Sequence, residues 1–278
     1  MMKDTQLAFI GGGNMAASLI GGLVADNLNP NQITVSDSDE RQREALAVSF
    51  GVHTGTDNVA VVAAADVVVL AVKPQILKAV SEELAATVQE CRPLVVSVAA
   101  GVRSDDIERW LGGNVAVVRA MPNTPALVQS GATALYANAG VSPEQRDQAE
   151  SILRAAGLTL WVAEEAAMDA VTALSGSGPA YFFRIMEAME NAATSLGLPA
   201  ETAHLLTLQT ALGAAKMALE SSDPVSVLRE RVTSPGGTTE QGLRVLAENH
   251  IDEVMAQVLQ AAYERSRELA TLLGEEKG

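Results

Sequence analysis

The short apolar run Leu7-Ala8-Phe9-Ile10 breaks directly into Gly11-Gly12-Gly13 and continues as Asn14-Met15-Ala16 at the head of a helical segment. Nothing else in the chain constrains the fold as tightly. A strand that turns on glycine into a helix is the opening of a βαβ unit, and the spacing Gly11-x-Gly13-x-x-Ala16 suits the pyrophosphate of a dinucleotide. Gly11 permits the tight turn, Gly13 has no side chain to hold a phosphate away, and the small Ala16 lets helix approach strand. Free N–H groups of the first helical turn then face the anion. The alternative is a glycine joint used only for packing; the strand before it and the helix after it favour a coenzyme.

The rest of the first half alternates in the same way. Strands are expected at Gln32 to Ser36, Asp66 to Val72, Leu94 to Val98, Val115 to Arg119, Thr133 to Ala137 and Leu158 to Val162. Helices are expected around Asn14 to Asp26 and Asp39 to Phe50, with another opened by Pro74. Continuous runs such as Val67-Val68-Val69-Leu70 read as strands buried on both faces, so the sheet is mostly parallel with helices on either side. From Glu164 onward no strand is evident. Alanine-rich helical periodicity takes over, with one apolar stripe through Tyr181, Ile185, Ala188, Ala192 and Leu196 and a second through Phe182, Met186, Met189 and Ala193. A helix apolar over so much of its circumference needs more than one neighbour. The expected architecture is therefore α/β: a Rossmann-type dinucleotide domain over 1–162 and an all-helical domain over 163–278 that buries its faces against another subunit.

Composition narrows the partners. A formal charge of −15 without a cluster of Lys and Arg excludes a nucleic-acid surface, since phosphate rewards clustered cations. The acidity is accounted for by solubility. No segment reaches the roughly 20 uninterrupted apolar residues that cross a bilayer, nor does an apolar signal region precede the glycine turn, so a cytoplasmic protein with no membrane partner is expected. Cys91 stands alone and reads as a small core residue in a reducing compartment. His53, His204 and His250 have no companions at ligand spacing, so no metal site is expected.

In an open parallel sheet, ligands lie beyond the carboxyl ends of the strands. The loops Gly11 to Ala16, Ser36-Asp37, Ala71-Val72-Lys73-Pro74 and Ala99-Ala100-Gly101 should line the coenzyme cleft. Met121-Pro122-Asn123-Thr124-Pro125, stiffened by two prolines, falls near the nicotinamide. Asp37 sits where an acid bonds a ribose diol and favours NAD, whereas Ser36 and Arg41 could hold a 2′-phosphate and favour NADP; the two readings remain in conflict. Lys73, just before a proline at a strand end, reads mainly as a backbone contact. In the helical half, Ser175-Gly176-Ser177-Gly178-Pro179 opens one helix and Val232-Thr233-Ser234-Pro235-Gly236-Gly237-Thr238-Thr239 opens another. Free N–H groups of Gly237 and Thr238 suit a small carboxylate; ordinary capping, with Thr238 and Gln241 as a capping box, is the competing reading.

Taken together, Phe-Ile-Gly-Gly-Gly-Asn-Met-Ala at 9–16, Ala-Val-Lys-Pro-Gln at 71–75, Met-Pro-Asn-Thr-Pro at 121–125, Ser-Gly-Ser-Gly-Pro-Ala-Tyr at 175–181 and Val-Thr-Ser-Pro-Gly-Gly-Thr-Thr at 232–239 resemble the pyrroline-5-carboxylate reductase family over essentially the whole chain. The resemblance implies NAD(P)H-dependent reduction of 1-pyrroline-5-carboxylate to L-proline, the last step of proline biosynthesis, with NADPH as coenzyme and NADH as the alternative. It implies coenzyme contacts from Ile10, Gly11, Gly13, Asn14, Met15 and Ala16, with Ser36 and Asn58 near the adenosine. Ala71, Val72, Lys73, Pro74, Ala99 and Ala100 would flank the rest, and Met121 and Asn123 would approach the nicotinamide. The substrate carboxylate would sit on Gly236-Gly237-Thr238, with Val232 and Ser234 in the same substrate stretch and the Thr239 hydroxyl on the ring nitrogen as the catalytic contact. It also implies homodimers through interlocked C-terminal helices, often assembled into decamers.

Two other functions compete. A β-hydroxyacid dehydrogenase shares the two-part plan but uses a lysine within a helix of its second domain, and Lys216 sits in no matching motif. A dinucleotide sensor without catalysis has no need of a carboxylate cradle at 232–239.

Overall fold

The computed structural model describes residues 5–274. Eight strands form one sheet: β1 (Leu7–Ile10), β2 (Ile33–Ser36), β3 (His53–Gly55), β4 (Val67–Leu70), β5 (Leu94–Ser97), β6 (Val117–Met121), β7 (Gly131–Ala137) and β8 (Gly157–Trp161), ordered β3-β2-β1-β4-β5-β6-β7-β8. All neighbours are parallel except β6 and β7. The segment 122–130 is too short for the crossover that a parallel neighbour requires, so β7 turns back along β6.

Helices cover both faces. α1 (Asn14–Ala25), α2 (Glu40–Phe50) and α6 (Pro143–Arg154) bury Leu19, Leu23, Leu46 and Ile152 against Leu7, Phe9, Val67 and Val69. On the other face α3 (Asn58–Ala63), α4 (Pro74–Cys91) and α5 (Ser104–Trp110) bury Val62, Leu77, Leu84 and Ile107 against Ala8, Ile10, Val68 and Leu70. Alternate residues of β1 and β4 thus feed opposite cores, which is why these strands are apolar at every position. Local chemistry sets the helix ends: Pro74 occupies the first turn of α4, and Ser142 with Gln145 forms a reciprocal capping box on α6 (3.2 and 3.0 Å).

Beyond β8 follow α7 (Ala167–Val171), a π-helical turn at Thr172–Gly176, α8 (Gly178–Ser195), α9 (Ala200–Glu220), α10 (Val225–Arg231), α11 (Thr238–Glu248) and α12 (Ile251–Gly274). The compact units do not divide at 162/163. The described residues up to Ser177, together with those from Ala262 onward, form the first unit, and Gly178–Ala261 the second. Side chains explain the difference: Glu165 bonds Ser104 and Arg119, Ser266 of α12 donates to Asp169 (2.7 Å), and Leu273 joins the core under α4 and α5. In the second unit α8 and α9 pack together, with His204 beside Glu190 at 2.9 Å. Phe182, Phe183, Leu205, Leu212 and Leu219 on these helices are all more than half exposed. Among the described residues no helix is long and apolar enough to cross a membrane.

Cys91 departs from expectation. It ends α4 exposed rather than entering the core, its thiol 3.7 Å from the Ala63 carbonyl, because the buried face of this helix runs through Leu77, Ser81, Leu84 and Val88.

Candidate active site

The order of strands reverses between β1 and β4, the position where α/β sheets open a crevice. A cleft of about 500 Å³ lies there. Of the residues expected to meet a coenzyme, Ile10, Gly11, Gly13, Ser36, Asn58, Ala71, Val72 and Lys73 line it, as do Asp37, Ser38 and Asp39. Gly11 has φ +97°, and a Cβ there would stand 2.7 Å from the Ala71 carbonyl oxygen, so only glycine serves. A Cβ on Gly13 would meet nothing within 4 Å, which leaves its face open to a ligand. Gly13 is the N-cap of α1 and no side chain caps that helix end. First-turn amides therefore remain for an anion. Ser36, one of the lining residues, has its hydroxyl buried without a partner. These features fit a dinucleotide.

Asn14, Met15, Ala16 and Pro74 adjoin the cleft in sequence without lining it. Lys73 is exposed at the N-cap of α4. Ala99 and Ala100 follow β5 further along the same sheet edge. Met121 ends β6, and its Cε fills the space that a Cβ on Gly176 would need. Asn123 is committed to the fold on both sides: its Nδ2 donates to the Ser175 carbonyl (3.1 Å) and its Oδ1 accepts from the Ala132 N–H (2.9 Å). It stiffens the loop after β6.

One charged network at this edge was not foreseen. Arg119 on β6 is 3% exposed and pairs with Glu165 at 3.1 Å, and Glu165 also accepts from the Ser104 N–H and hydroxyl, both at 2.7 Å. The Arg119 Nη2 is buried without a partner. Burial, reinforced by the Glu165 and Asp105 carboxylates, raises the phenol pKa of Tyr136, which lies opposite Arg119 in the sheet. An arginine inside an apolar strand was the available signal, since a buried charge demands a partner.

In the second unit, the turn before α11 differs from expectation in detail. Gly237 is the N-cap and no capping box forms. The Gly237 N–H is not free, because it donates to the Ser234 carbonyl (2.9 Å) across a turn in which Gly236 takes φ +73°. The Gly236 N–H donates to the Glu240 carboxylate at 2.8 Å. Thr238 and Thr239, the first two helical residues, offer the remaining amides, and both are exposed with Val232, Ser234 and Gly236. Lys216 pairs with Glu220 on the surface of α9 (3.8 Å).

The chain is similar to known proteins along essentially its whole length. Residues 165–269 match the family model described as pyrroline-5-carboxylate reductase dimerisation, and residues 6–101 match that of NADP oxidoreductase, coenzyme F420-dependent. A pyrroline-5-carboxylate reductase of Pseudomonas aeruginosa is 52% identical over 274 residues, 99% of this chain and 100% of that protein. The chain belongs to the pyrroline-5-carboxylate reductase family. The Pasteurella multocida reductase is 44% identical over 98% of this chain and 100% of its own length. Among solved structures, the Coxiella burnetii reductase superposes with a TM-score of 0.93 at 50% identity (96% of this chain, 98% of that one). The Plasmodium falciparum reductase, solved with NADP bound, gives 0.86 at 28% identity (97% and 100%). This reductase is accordingly an NAD(P)-binding oxidoreductase that forms homo-oligomers, and the exposed faces of α8 and α9 fall within the segment that matches the dimerisation model.

Proposed function

We propose that NADPH is the coenzyme and the cytoplasm the setting in which this reductase carries out its reaction, the conversion of 1-pyrroline-5-carboxylate to L-proline that ends proline biosynthesis. The observation that carries the reading is the cleft at the β1/β4 reversal, floored by Gly11 and Gly13 with the first-turn amides of α1 unspent. When bound, the reduced nicotinamide supplies the hydride. The rest of the chemistry is one proton on the ring nitrogen, and a protonated imine is already an electrophile. The chain then has to hold and orient, work that is worth about 7–11 kcal/mol in well-aligned systems.

We assign the substrate carboxylate to the amides of Thr238 and Thr239 at the positive end of α11, beside Val232, Ser234, Gly236 and Gly237. The Thr239 hydroxyl donates to the neutral imine nitrogen or accepts from the iminium. On the coenzyme side, Ile10, Gly11, Gly13, Asn14, Met15 and Ala16 receive the pyrophosphate, and Ser36 and Asn58 the adenosine. The segment 71–74, with Ala99, Ala100, Met121 and Asn123, flanks the nicotinamide half. NADPH is favoured over NADH because the Asp37 carboxylate is turned onto backbone amides, leaving hydroxyls and the exposed Arg41 for a 2′-phosphate. The dimer is the unit of assembly, and five dimers make the decamer that the family resemblance implies. An exposed free thiol at Cys91 supports a reducing compartment.

The test is NADPH oxidation by the purified protein with 1-pyrroline-5-carboxylate and identification of proline as product, repeated with NADH. Thr239→Ala should lower kcat about a hundredfold, on the order of 3 kcal/mol, with the NADPH KM unchanged. Full activity in that variant removes Thr239 from the reaction. Dinucleotide binding without imine reduction in the parent protein removes the reaction itself.

A further inference from the structure

We propose that Asp37 is a positioning residue that holds the glycine turn in its coenzyme-binding shape and serves NADPH and NADH alike, rather than reading the ribose hydroxyls. The proposal rests on the assignment of the dinucleotide to the β1/β4 cleft. Asp37 follows β2 at the place where an acid in this fold accepts hydrogen bonds from a ribose diol. Here its carboxylate is already engaged. Oδ2 accepts from the Gly12 N–H at 2.6 Å, and Oδ1 accepts from the Asp39 N–H at 2.8 Å. The backbone is tied as well: the Asp37 N–H donates to the Gly55 carbonyl (3.2 Å), and its carbonyl accepts from the Arg43 guanidinium (2.8 Å). One residue therefore joins the glycine turn to β3 and to the first turn of α2.

The glycine turn has little else to hold it on this side. Gly11 donates to the Ser36 carbonyl at 2.8 Å, and the next amide, Gly12, has Asp37 as its acceptor. Space at Gly12 is also limited, since a Cβ there would lie 2.9 Å from the Leu46 Cδ1 and 3.4 Å from the Asp37 Oδ2. A bond from an amide to a charged acceptor is about twice as strong as a neutral one. Engaging Gly12 in this way fixes the direction of the turn, so that Gly13 and the following amides face the cleft. Meanwhile, among the residues that line the cleft, Ser36 has a buried hydroxyl that lacks a partner. Ribose contacts then fall to Ser36, and the carboxylate acts on the pyrophosphate cradle, a part that both coenzymes share.

The experiment compares Asp37→Ala and Asp37→Asn with the parent full-length protein, measuring KM and kcat for NADPH and NADH at saturating imine. Dissociation constants are read in parallel from the fluorescence of each reduced coenzyme. Asp37→Ala should raise both KM values by about tenfold, with their ratio within twofold of the parent and kcat retained. Asp37→Asn keeps an acceptor for one amide and should fall between, again equally for both coenzymes; it carries the test if the alanine variant does not fold. A loss confined to NADH, a gain for NADPH, or no change with either overturns the proposal. Gly13→Val separates the underlying assignment: loss of both coenzymes supports the cleft, whereas unchanged binding in that variant removes the cleft itself, whatever Asp37 does.

Discussion

Replacing Glu165 by Gln keeps the side chain's volume and an acceptor oxygen for Ser104 but deletes the charge facing Arg119. That guanidinium is 3% exposed, its Nη1 bonds Glu165 at 3.1 Å and its Nη2 has no partner, so the variant strands a buried cation. Breaking a buried pair from one side costs about 3–5 kcal/mol. The retained amide places this case near 3, which lowers Tm by about 6–12 °C at 2–4 °C per kcal/mol for a unit of this size. Both tryptophans, Trp110 and Trp161, lie in the unit that contains the pair, so their fluorescence follows the relevant transition. Protomer concentration must be matched, because self-association stabilises the folded state by mass action. Arg119→Met combined with Glu165→Gln removes both charges, and stability should return to within about 1 kcal/mol of the parent. A Glu165→Gln variant that unfolds with the parent, or a double variant whose loss is the sum of the singles, refutes the reasoning.

Three further outcomes follow from other contacts. The Glu150 carboxyl is held below its ordinary range chiefly by the Trp161 indole N–H (2.8 Å), against a smaller opposing effect of burial, with Arg154 adding. Its contribution is thus full above the usual carboxyl value and is lost as pH falls through the lowered one; the gap between the urea curves of Trp161→Phe and the parent should be wider at pH 7 than in acid, where only the lost ring packing and Arg146 stacking remain, and a gap constant with pH would refute this. Gly22→Ala drives a methyl group into the Ala155 carbonyl where α1 meets the end of α6, whereas Gly21→Ala meets only the movable Phe50 ring at 3.0 Å. The first should cost at least about 1–3 kcal/mol in a denaturation series and the second clearly less. Glu240→Ala releases the Gly236 N–H, and the imine KM should rise about fivefold with the NADPH KM unchanged; a fall in the imine KM would mean that Glu240 competes with the substrate.

Much of this was legible in the sequence because parallel strands buried on both faces leave unbroken apolar runs. Val67 to Leu70 and Leu94 to Ser97 fall inside the apolar runs Asp66 to Val72 and Leu94 to Val98 read as strands. Glycine and proline punctuation located the turn at Gly11 and the start of α4 at Pro74. The return of α12 to the first unit was not legible, since a 24-residue amphipathic helix carries no mark where its neighbours change. Nor was the exposure of Cys91, which depends on how α4 is rotated over the sheet. At the site, the residue types at the turns were readable but their hydrogen-bond accounts were not. Whether the Gly237 amide is free depends on a carbonyl three residues away, and the Asp37 carboxylate bonds a glycine 25 positions earlier.

Three loops share one device. Asp37 takes the Gly12 N–H, Glu165 takes the Ser104 N–H beyond the Ala99-Ala100 loop, and Glu240 takes the Gly236 N–H, at 2.6 to 2.8 Å. In each case a carboxylate fixes a backbone amide at or beside a turn assigned to coenzyme or substrate, and so sets which neighbouring amides point outward. Carboxylate acceptors do this well because charge-assisted bonds are short and directional. The arrangement matches a reaction whose hydride comes from the coenzyme, where the protein's share is rigid placement of donors rather than proton transfer by a tuned acid or base. The acidity of the chain therefore has a structural use beyond solubility. Glu165 makes the clearest case, since its counter-ion is buried and its other partners are the hydroxyl and amide that open α5.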